Sequence, residues 1–189
     1  MLLQRAGIVF TVVDSTCDEE TVFFPNPQML AIERARAKVA GAVLSADQQK
    51  TSPVVVLGAD TVVALGSHIY GKPTDRADAI RILSQLQGTT HVVYTGHCCR
   101  RIDAGLHSEA ARIAMTKVTM LPMSRSDIET YVASGESDGR AGAYALQETG
   151  DRFVADLQGA WDTVVGLNVA MMARLYCECT DAWPDGYRT

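Results

Sequence analysis

The chain has 189 residues, of which 47% are hydrophobic and 21% are charged, and its formal net charge at pH 7 is −5. This length suits one domain with a buried core. The acidic balance excludes a global basic field that would attract nucleic acid or an anionic membrane. Because no apolar run approaches the roughly 20 residues of a membrane span and the first residues lack a signal-peptide pattern, we expect a cytoplasmic protein.

The cysteine pattern predicts structural thiols. Five cysteines occur, with one adjacent pair and one C-x-C spacing. This matches neither a secreted disulfide framework nor the C-x-x-C spacing of a zinc site. They are Cys17, Cys98, Cys99, Cys177 and Cys179.

The first elements predicted are a helix end, a strand and a long helix. Residues 1–6 are typical of a helix that ends at Gly7, and residues 8–13 (IVFTVV) predict a strand. Asn26 and Pro27 then indicate the start of an alanine-rich helix that continues to about residue 43. On this helix Arg34 and Lys38 lie four residues apart, so they share a face that can present two cations to a phosphate, although such pairs are more often solvent-exposed.

The apolar run 54–57 (VVVL) predicts a strand that is covered on both faces. Asp60 follows it closely, and a carboxylate at the end of such a strand lies at the rim of the core, where ligands of open α/β sheets usually bind. An aspartate there also serves as a cap of the following turn. The spacing alone leaves both interpretations open.

The next segment predicts a hairpin with a turn at residues 66–67, and then the triplet Gly71-Lys72-Pro73. In the triplet Gly71 permits close backbone approach and Lys72 supplies a point charge of the kind that holds phosphate. This signal is weak by itself. Thr74 is predicted to cap a helix that ends at Gly88.

The rest of the chain predicts a sheet and two more helices. Strand patterns cover residues 91–99 and 108–121 as a meander, and Ser124 with Asp127 resembles a capping box for a helix over 128–133. A glycine-rich loop, a strand over 153–157 and a last helix to about residue 175 follow, with a frayed tail from residue 178. The fold class is therefore α/β, or mixed α+β, around a mixed sheet.

The polar side chains favour hydrolysis of an anionic substrate with help from a metal. No Ser-His-Asp or Cys-His arrangement and no Walker-type phosphate loop is present. Carboxylates combined with cations suit a hard divalent ion that neutralises phosphate oxygens. The candidates are Glu19, Asp60, Arg34, Lys72, Arg140, Thr61 and Gln147.

Six motifs in a fixed order resemble one known family. They are GADTVV (58–63), GKP (71–73), GTTHVVYTG (88–96), YVASGE (131–136), AGAYALQ (141–147) and VVGL (164–167). Together they are similar to the Maf, or septum-formation-like, nucleoside triphosphate pyrophosphatases over residues 2–175. Each motif alone is weak, but the whole series is hard to obtain by chance.

The resemblance implies an elongated mixed α/β fold, related to inosine triphosphate pyrophosphatases, with two lobes around a cleft. It implies a domain over residues 1–176 and a tail over 177–189. It also implies cleavage between the α and β phosphates, which gives a nucleoside monophosphate and pyrophosphate, with Mg²⁺ or Mn²⁺ as cofactor. The branch with GADT and a downstream Gln acts on dTTP and UTP. Many relatives pair as homodimers.

The resemblance also implies roles for individual residues. Asp60 matches the proton acceptor, and Glu19 matches a carboxylate that helps Asp60 to bind the metal. Lys72 matches a phosphate-facing lysine, and Arg34 stands where the family usually has a lysine. The remaining matches are for substrate binding, at Thr61, Gln147 and Arg140.

Three departures from the family leave an alternative open. The Ser-x-Ser-Pro-Arg-Arg loop that grips the triphosphate has no counterpart in these residues. Arg140 replaces a lysine, with a different geometry toward phosphate, and Glu148 follows Gln147 where glycine is common. We therefore keep a second hypothesis, a catalytically weakened nucleotide-binding or regulatory protein on the same fold.

Overall fold

The computed structural model describes residues 2–50, 52–103, 106–146 and 149–187. The α-helices are α1 (Leu2–Arg5), α2 (Pro27–Ala40), α3 (Ala46–Lys50), α4 (Arg76–Leu86), α5 (Arg125–Ala133), α6 (Trp161–Val165) and α7 (Val169–Thr180). The strands are β1 (Val54–Leu65), β2 (His68–Tyr70), β3 (Thr90–Asp103), β4 (Leu106–Met120) and β5 (Val154–Gln158). Short 3-10 helices cover Glu19–Thr21, Ala141–Ala143 and Thr149–Phe153.

The strands form one sheet in the order β2-β1-β3-β4-β5. Val63 pairs with Tyr70 between β1 and β2, and Val118 pairs with Leu157 between β4 and β5, both in antiparallel register. The α/β class is confirmed, but the sheet is antiparallel rather than mixed. Antiparallel neighbours need only short connections, which the hairpins β1–β2 and β3–β4 provide.

The chain divides into two compact units. The first unit runs to Asp60 and also contains Thr95–Ala114 and the residues from Gly166 onward. The second unit contains Thr61–Tyr94 and Met115–Val165. Strands β1, β3 and β4 therefore contribute residues to both units.

In the first unit, helix α2 approaches β1 and β3 closely because a glycine lies at each contact. A Cβ atom on Gly58 would lie 2.7 Å from Cγ2 of Val39, and one on Gly96 would lie 2.2 Å from the carbonyl oxygen of Ala31. Ala31, Ala35 and Val39 are all buried. Small residues on both sides thus bring the helix backbone directly onto the strands.

The core of the second unit is a cluster of apolar side chains from α4, α5 and the strands. Ile82, Leu83 and Leu86 of α4 pack in it with Ile128 and Tyr131 of α5. Tyr131 is one of the largest fully buried side chains. The segment that follows α5 packs against this cluster.

The local signals in the sequence are mostly confirmed. Asn26 accepts hydrogen bonds from the backbone N–H groups of residues 28 and 29, as expected for an N-cap. Ser124 and Asp127 form the predicted capping box. The cap of α4, however, is Asp75 instead of Thr74, because the Asp75 side chain accepts from the N–H of residue 78.

Two other expectations about the elements are wrong, and two short helices were not predicted. Residues 8–13 form no strand, and Val9 is 84% exposed; an apolar run becomes a strand only where a neighbour pairs with it. Helix α7 continues to Thr180, beyond the predicted helix end at about residue 175 and into the predicted frayed tail, because Cys179 is buried against Leu175 and Cys99. The short helices α3 and α6 were not predicted, since five residues carry too little periodicity.

Among the helices of the described residues, none combines the length and the hydrophobicity that a bilayer crossing requires.

Candidate active site

Asp60 lies in the middle of strand β1, where its side chain is buried. The strand runs from Val54 to Leu65, so Asp60 neither ends it nor caps a following turn, and the cap interpretation is wrong. The residue is only 6% exposed. Among the residues that the structure describes, nothing forms a hydrogen bond with its buried Oδ2 atom. A buried carboxylate oxygen without a hydrogen-bond partner lowers the stability of a fold, so its presence suggests a functional role.

Lys38 of helix α2 connects this carboxylate to a second one. Its Nζ atom lies 2.8 Å from Oδ1 of Asp60 and 2.9 Å from Oε1 of Glu19. Nζ also donates to the carbonyl oxygen of Ala59, at 3.2 Å. These three contacts match the three N–H donors of an ammonium group. The first unit thus holds two carboxylates around one lysine.

The chain holds Glu19 near Lys38 through a clamp at the C-terminal end of α2. The Ser15 hydroxyl donates to the carbonyl oxygen of Lys38 at 2.9 Å, and the N–H of Thr16 donates to the carbonyl oxygen of Gly41 at 2.9 Å. Glu19 then begins a 3-10 turn that Asp18 caps by accepting from the N–H of residue 20. These local hydrogen bonds therefore direct the Glu19 side chain toward helix α2.

Burial dominates the electrostatics of Asp60. Desolvation raises the pKa of its carboxyl above the ordinary value, and the charge of Lys38 opposes this shift without cancelling it. Burial lowers the pKa of Lys38, but the charges of Asp60 and Glu19 outweigh it, so the net shift of that pKa is upward. The lysine stays charged, and Asp60 is a stronger base than an exposed aspartate.

Arg34 lies one helical turn before Lys38 on the same face of α2. Its positive charge also lowers the pKa of Asp60, as a smaller influence than burial and Lys38. No hydrogen-bond acceptor within the described part of the chain meets its buried Nε atom. The structure therefore places Arg34 close enough to Asp60 to influence its carboxyl, in the unit that also holds Glu19.

Lys38 is the site residue that sequence reasoning missed. The available signal was its four-residue spacing from Arg34, which predicted a shared face able to present two cations to a phosphate but did not indicate the contacts with Asp60 and Glu19. A cavity of about 260 Å³ opens beside it, lined by Lys38, Glu19, Cys17 and Gly58 among others. A small ligand group that enters this cavity would meet the ammonium and the Glu19 carboxylate.

The other predicted site residues belong to the second unit. Thr61 follows Asp60 in β1. The N–H of Gly142 donates to the carbonyl oxygen of Gly71 at 3.1 Å, which holds the turn that bears Lys72 against the 3-10 helix that follows Arg140. Gln147 lies outside the described residues.

Two buried hydrogen bonds fix the segment that leads to Gln147. The N–H of Ala145 donates to the Tyr131 hydroxyl at 3.0 Å. Nε2 of His91 lies 2.8 Å from the Tyr144 hydroxyl. The motifs that contain these residues were recognised in the sequence, but the partners were not. Each bond joins residues that are more than ten positions apart.

Comparison with known proteins identifies the family. The model of the Maf-like protein family matches residues 1–179. The chain belongs to the Maf-like protein family. The resemblance drawn from the six motifs is therefore confirmed.

Three relatives illustrate the similarity of this Maf-like protein to others. It is 35% identical to a nucleoside triphosphate pyrophosphatase of Salinispora tropica, over 99% of this chain and 84% of the relative. It is 38% identical to a dTTP/UTP pyrophosphatase of Anaeromyxobacter dehalogenans, over 92% and 85%. It is 37% identical to a dTTP/UTP pyrophosphatase of Gloeobacter violaceus, over 94% and 88%.

Proposed function

We propose that this Maf-like protein hydrolyses nucleoside triphosphates between the α and β phosphates, with dTTP and UTP as preferred substrates. The products are a nucleoside monophosphate and pyrophosphate. The observation that carries the proposal is the buried Asp60 carboxylate, with its raised pKa and its unused Oδ2 oxygen beside Lys38. The names of the relatives support the reaction and the substrate class.

In the proposed reaction Asp60 accepts a proton from the attacking water. The water oxygen forms a bond to phosphorus, and the bond between that phosphorus and the bridging oxygen breaks. Oδ2 of Asp60 has no hydrogen-bond partner among the described residues, so it is the oxygen proposed to receive the proton. A base whose pKa is raised toward neutrality transfers protons more effectively than an ordinary aspartate.

Cationic side chains are proposed to contact the phosphate groups of the substrate. Arg34 provides a guanidinium near Asp60, and Lys72 and Arg140 provide charge from the two segments that the Gly142 hydrogen bond holds together. Charge-assisted hydrogen bonds to phosphate are about twice as strong as neutral ones. Thr61 and Gln147 are proposed to select the base.

A divalent cation, Mg²⁺ or Mn²⁺, belongs to the proposal, and the residues present fit it. Asp60 and Glu19 supply carboxylate oxygens to one locus. No group of three or more His, Cys, Asp or Glu side chains that could hold a metal was found in the described chain. The two carboxylates suit Mg²⁺, which one or two carboxylates usually bind together with substrate phosphates. Such an ion neutralises negative charge on phosphate oxygens.

The test is the release of pyrophosphate from canonical and modified nucleoside triphosphates with Mg²⁺ or Mn²⁺. We expect Asp60→Asn to reduce turnover of dTTP and UTP by about 10²- to 10⁴-fold, because it removes the proton acceptor. Asp47→Asn is the matched control, since Asp47 is an aspartate of the same unit with a 98% exposed side chain; we expect it to behave as the wild type.

Two outcomes would contradict the proposal. Release of inorganic phosphate and a nucleoside diphosphate would place the cleavage at the wrong bond. Nucleotide binding by the folded protein without release of pyrophosphate would instead support the alternative, a nucleotide-binding or regulatory protein.

A further inference from the structure

The atoms around Lys38 Nζ are those that a divalent cation binds. Oδ1 of Asp60, Oε1 of Glu19 and the carbonyl oxygen of Ala59 lie at 2.8, 2.9 and 3.2 Å from it. Two carboxylates and a backbone carbonyl are typical ligands of hard cations such as Mg²⁺ and Mn²⁺. The lysine ammonium is thus surrounded by three oxygen atoms of the kinds that also bind a divalent metal.

We propose that Lys38 is a tethered cation that competes with the divalent metal for Asp60 and Glu19, so that metal binding requires the Lys38 ammonium to leave. This inference rests on the proposed metal-dependent function and deepens it. It makes Lys38 a positioning residue that regulates access of the metal to the site.

Geometry and charge make the two cations mutually exclusive. Mg²⁺ takes oxygen ligands at about 2.0–2.1 Å, so it would need the same oxygens drawn in around the point where Nζ now lies. An ammonium and a divalent ion a few ångströms apart in a partly buried site repel each other strongly. The two cations therefore compete for Oδ1 of Asp60 and Oε1 of Glu19.

The displaced ammonium has space to occupy. The Lys38 side chain is 26% exposed, and it lines the cavity of about 260 Å³. A lysine carries its charge on a flexible four-carbon stem, so rotation of the side chain moves the ammonium without movement of helix α2. In the cavity it remains available to an incoming phosphate.

The first experiment measures Mn²⁺ binding without nucleotide, by electron paramagnetic resonance of the free ion. Lys38→Met removes the resident charge, and we expect it to bind Mn²⁺ about tenfold or more tightly than the wild type. Lys50→Gln is the matched control, because the Lys50 side chain lies in the same unit and is 79% exposed; its affinity should equal that of the wild type. Adding Glu19→Gln to Lys38→Met should remove the gain.

A second measurement uses the wild type and does not depend on how well Lys38→Met folds. Amine acetylation is followed residue by residue by mass spectrometry, with and without saturating Mg²⁺ at constant ionic strength. We expect Mg²⁺ to accelerate the acetylation of Lys38 several-fold and to leave that of Lys50 unchanged.

Equal or weaker Mn²⁺ affinity in a folded Lys38→Met variant would overturn the inference. So would acetylation of Lys38 that does not change at saturating Mg²⁺. Neither result depends on turnover, so either can occur in a protein that releases pyrophosphate. Conversely, tighter Mn²⁺ binding by Lys38→Met in a protein that releases none would support the competition and refute the proposed function.

Discussion

Gly96 sets the distance between strand β3 and helix α2, and Gly96→Ala tests how rigid that contact is. The new Cβ atom would lie 2.2 Å from the carbonyl oxygen of Ala31, 2.3 Å from its carbonyl carbon and 2.6 Å from the nitrogen of Ile32. All three are backbone atoms, so no side-chain rotation relieves the overlap. The helix must recede by about 1 Å before the contact reaches a van der Waals distance.

We expect Gly96→Ala to lower the free energy of unfolding by about 1–3 kcal/mol, the usual cost of overpacking a close contact. Helix α2 also carries Lys38, whose Nζ lies 2.8 Å from Oδ1 of Asp60. A helix that recedes by about 1 Å lengthens this contact beyond a hydrogen bond.

Urea unfolding followed by circular dichroism measures the effect on stability. Gly71→Ala is the matched control, since, apart from its two chain neighbours, no heavy atom of the described residues lies within 4 Å of a Cβ built there. We expect this control to stay within about 0.5 kcal/mol of the wild type. If Gly96→Ala unfolds at the wild-type urea midpoint with the wild-type slope, helix α2 moves away from β3 without loss of stability. That result would refute the proposed rigidity of the contact.

Three further predictions concern buried or capping side chains. Burial lowers the pKa of His91 to about 4, so the unfolded chain binds more protons between pH 6.5 and 4. The contribution of neutral His91 to the free energy of unfolding is present above pH 6.5 and falls by about 3 kcal/mol as the pH drops from 6.5 to 4. Urea unfolding measured as a function of pH should show this loss in the wild type but not in His91→Gln. Ser124→Ala removes an N-cap side chain that accepts a hydrogen bond from the N–H of residue 127. It should lower the free energy of unfolding by about 1 kcal/mol, as measured by heat or urea. An equal loss in the control Ser126→Ala, at an exposed serine of the same helix, would show that the cap is not the cause. Burial raises the pKa of Asp60, so the ionised carboxylate is less favourable in the folded protein than in the unfolded chain. Asp60→Asn should therefore lose turnover but be no easier to unfold in urea at pH 7 than the wild type. A clear drop in the urea midpoint would show instead that the ion pair with Lys38 stabilises the fold.

The sequence by itself determined the features whose partners are close along the chain. The N-cap at Asn26, the capping box at Ser124 and the turn at Gly66 each depend on contacts within about four residues. Such contacts form from local chemistry and do not need the rest of the fold. The ordered motifs likewise sufficed to identify the family.

Only the tertiary structure showed that Lys38 joins Glu19 and Asp60. Lys38 lies about twenty residues along the chain from Glu19 and from Asp60. The three residues meet because Gly58 lets helix α2 lie directly on β1 and because the Ser15 clamp directs the chain toward the helix end. The spacing of Arg34 and Lys38 indicated a shared face, but it did not show what that face contacts.

The same limit explains why the sequence left the role of Asp60 open and predicted a strand over residues 8–13. The raised pKa of Asp60 comes first from burial, which sums the positions of many distant atoms. A strand likewise needs a neighbour for its backbone N–H and C=O groups. Local pattern indicates what a segment is able to form, and only packing decides what surrounds it.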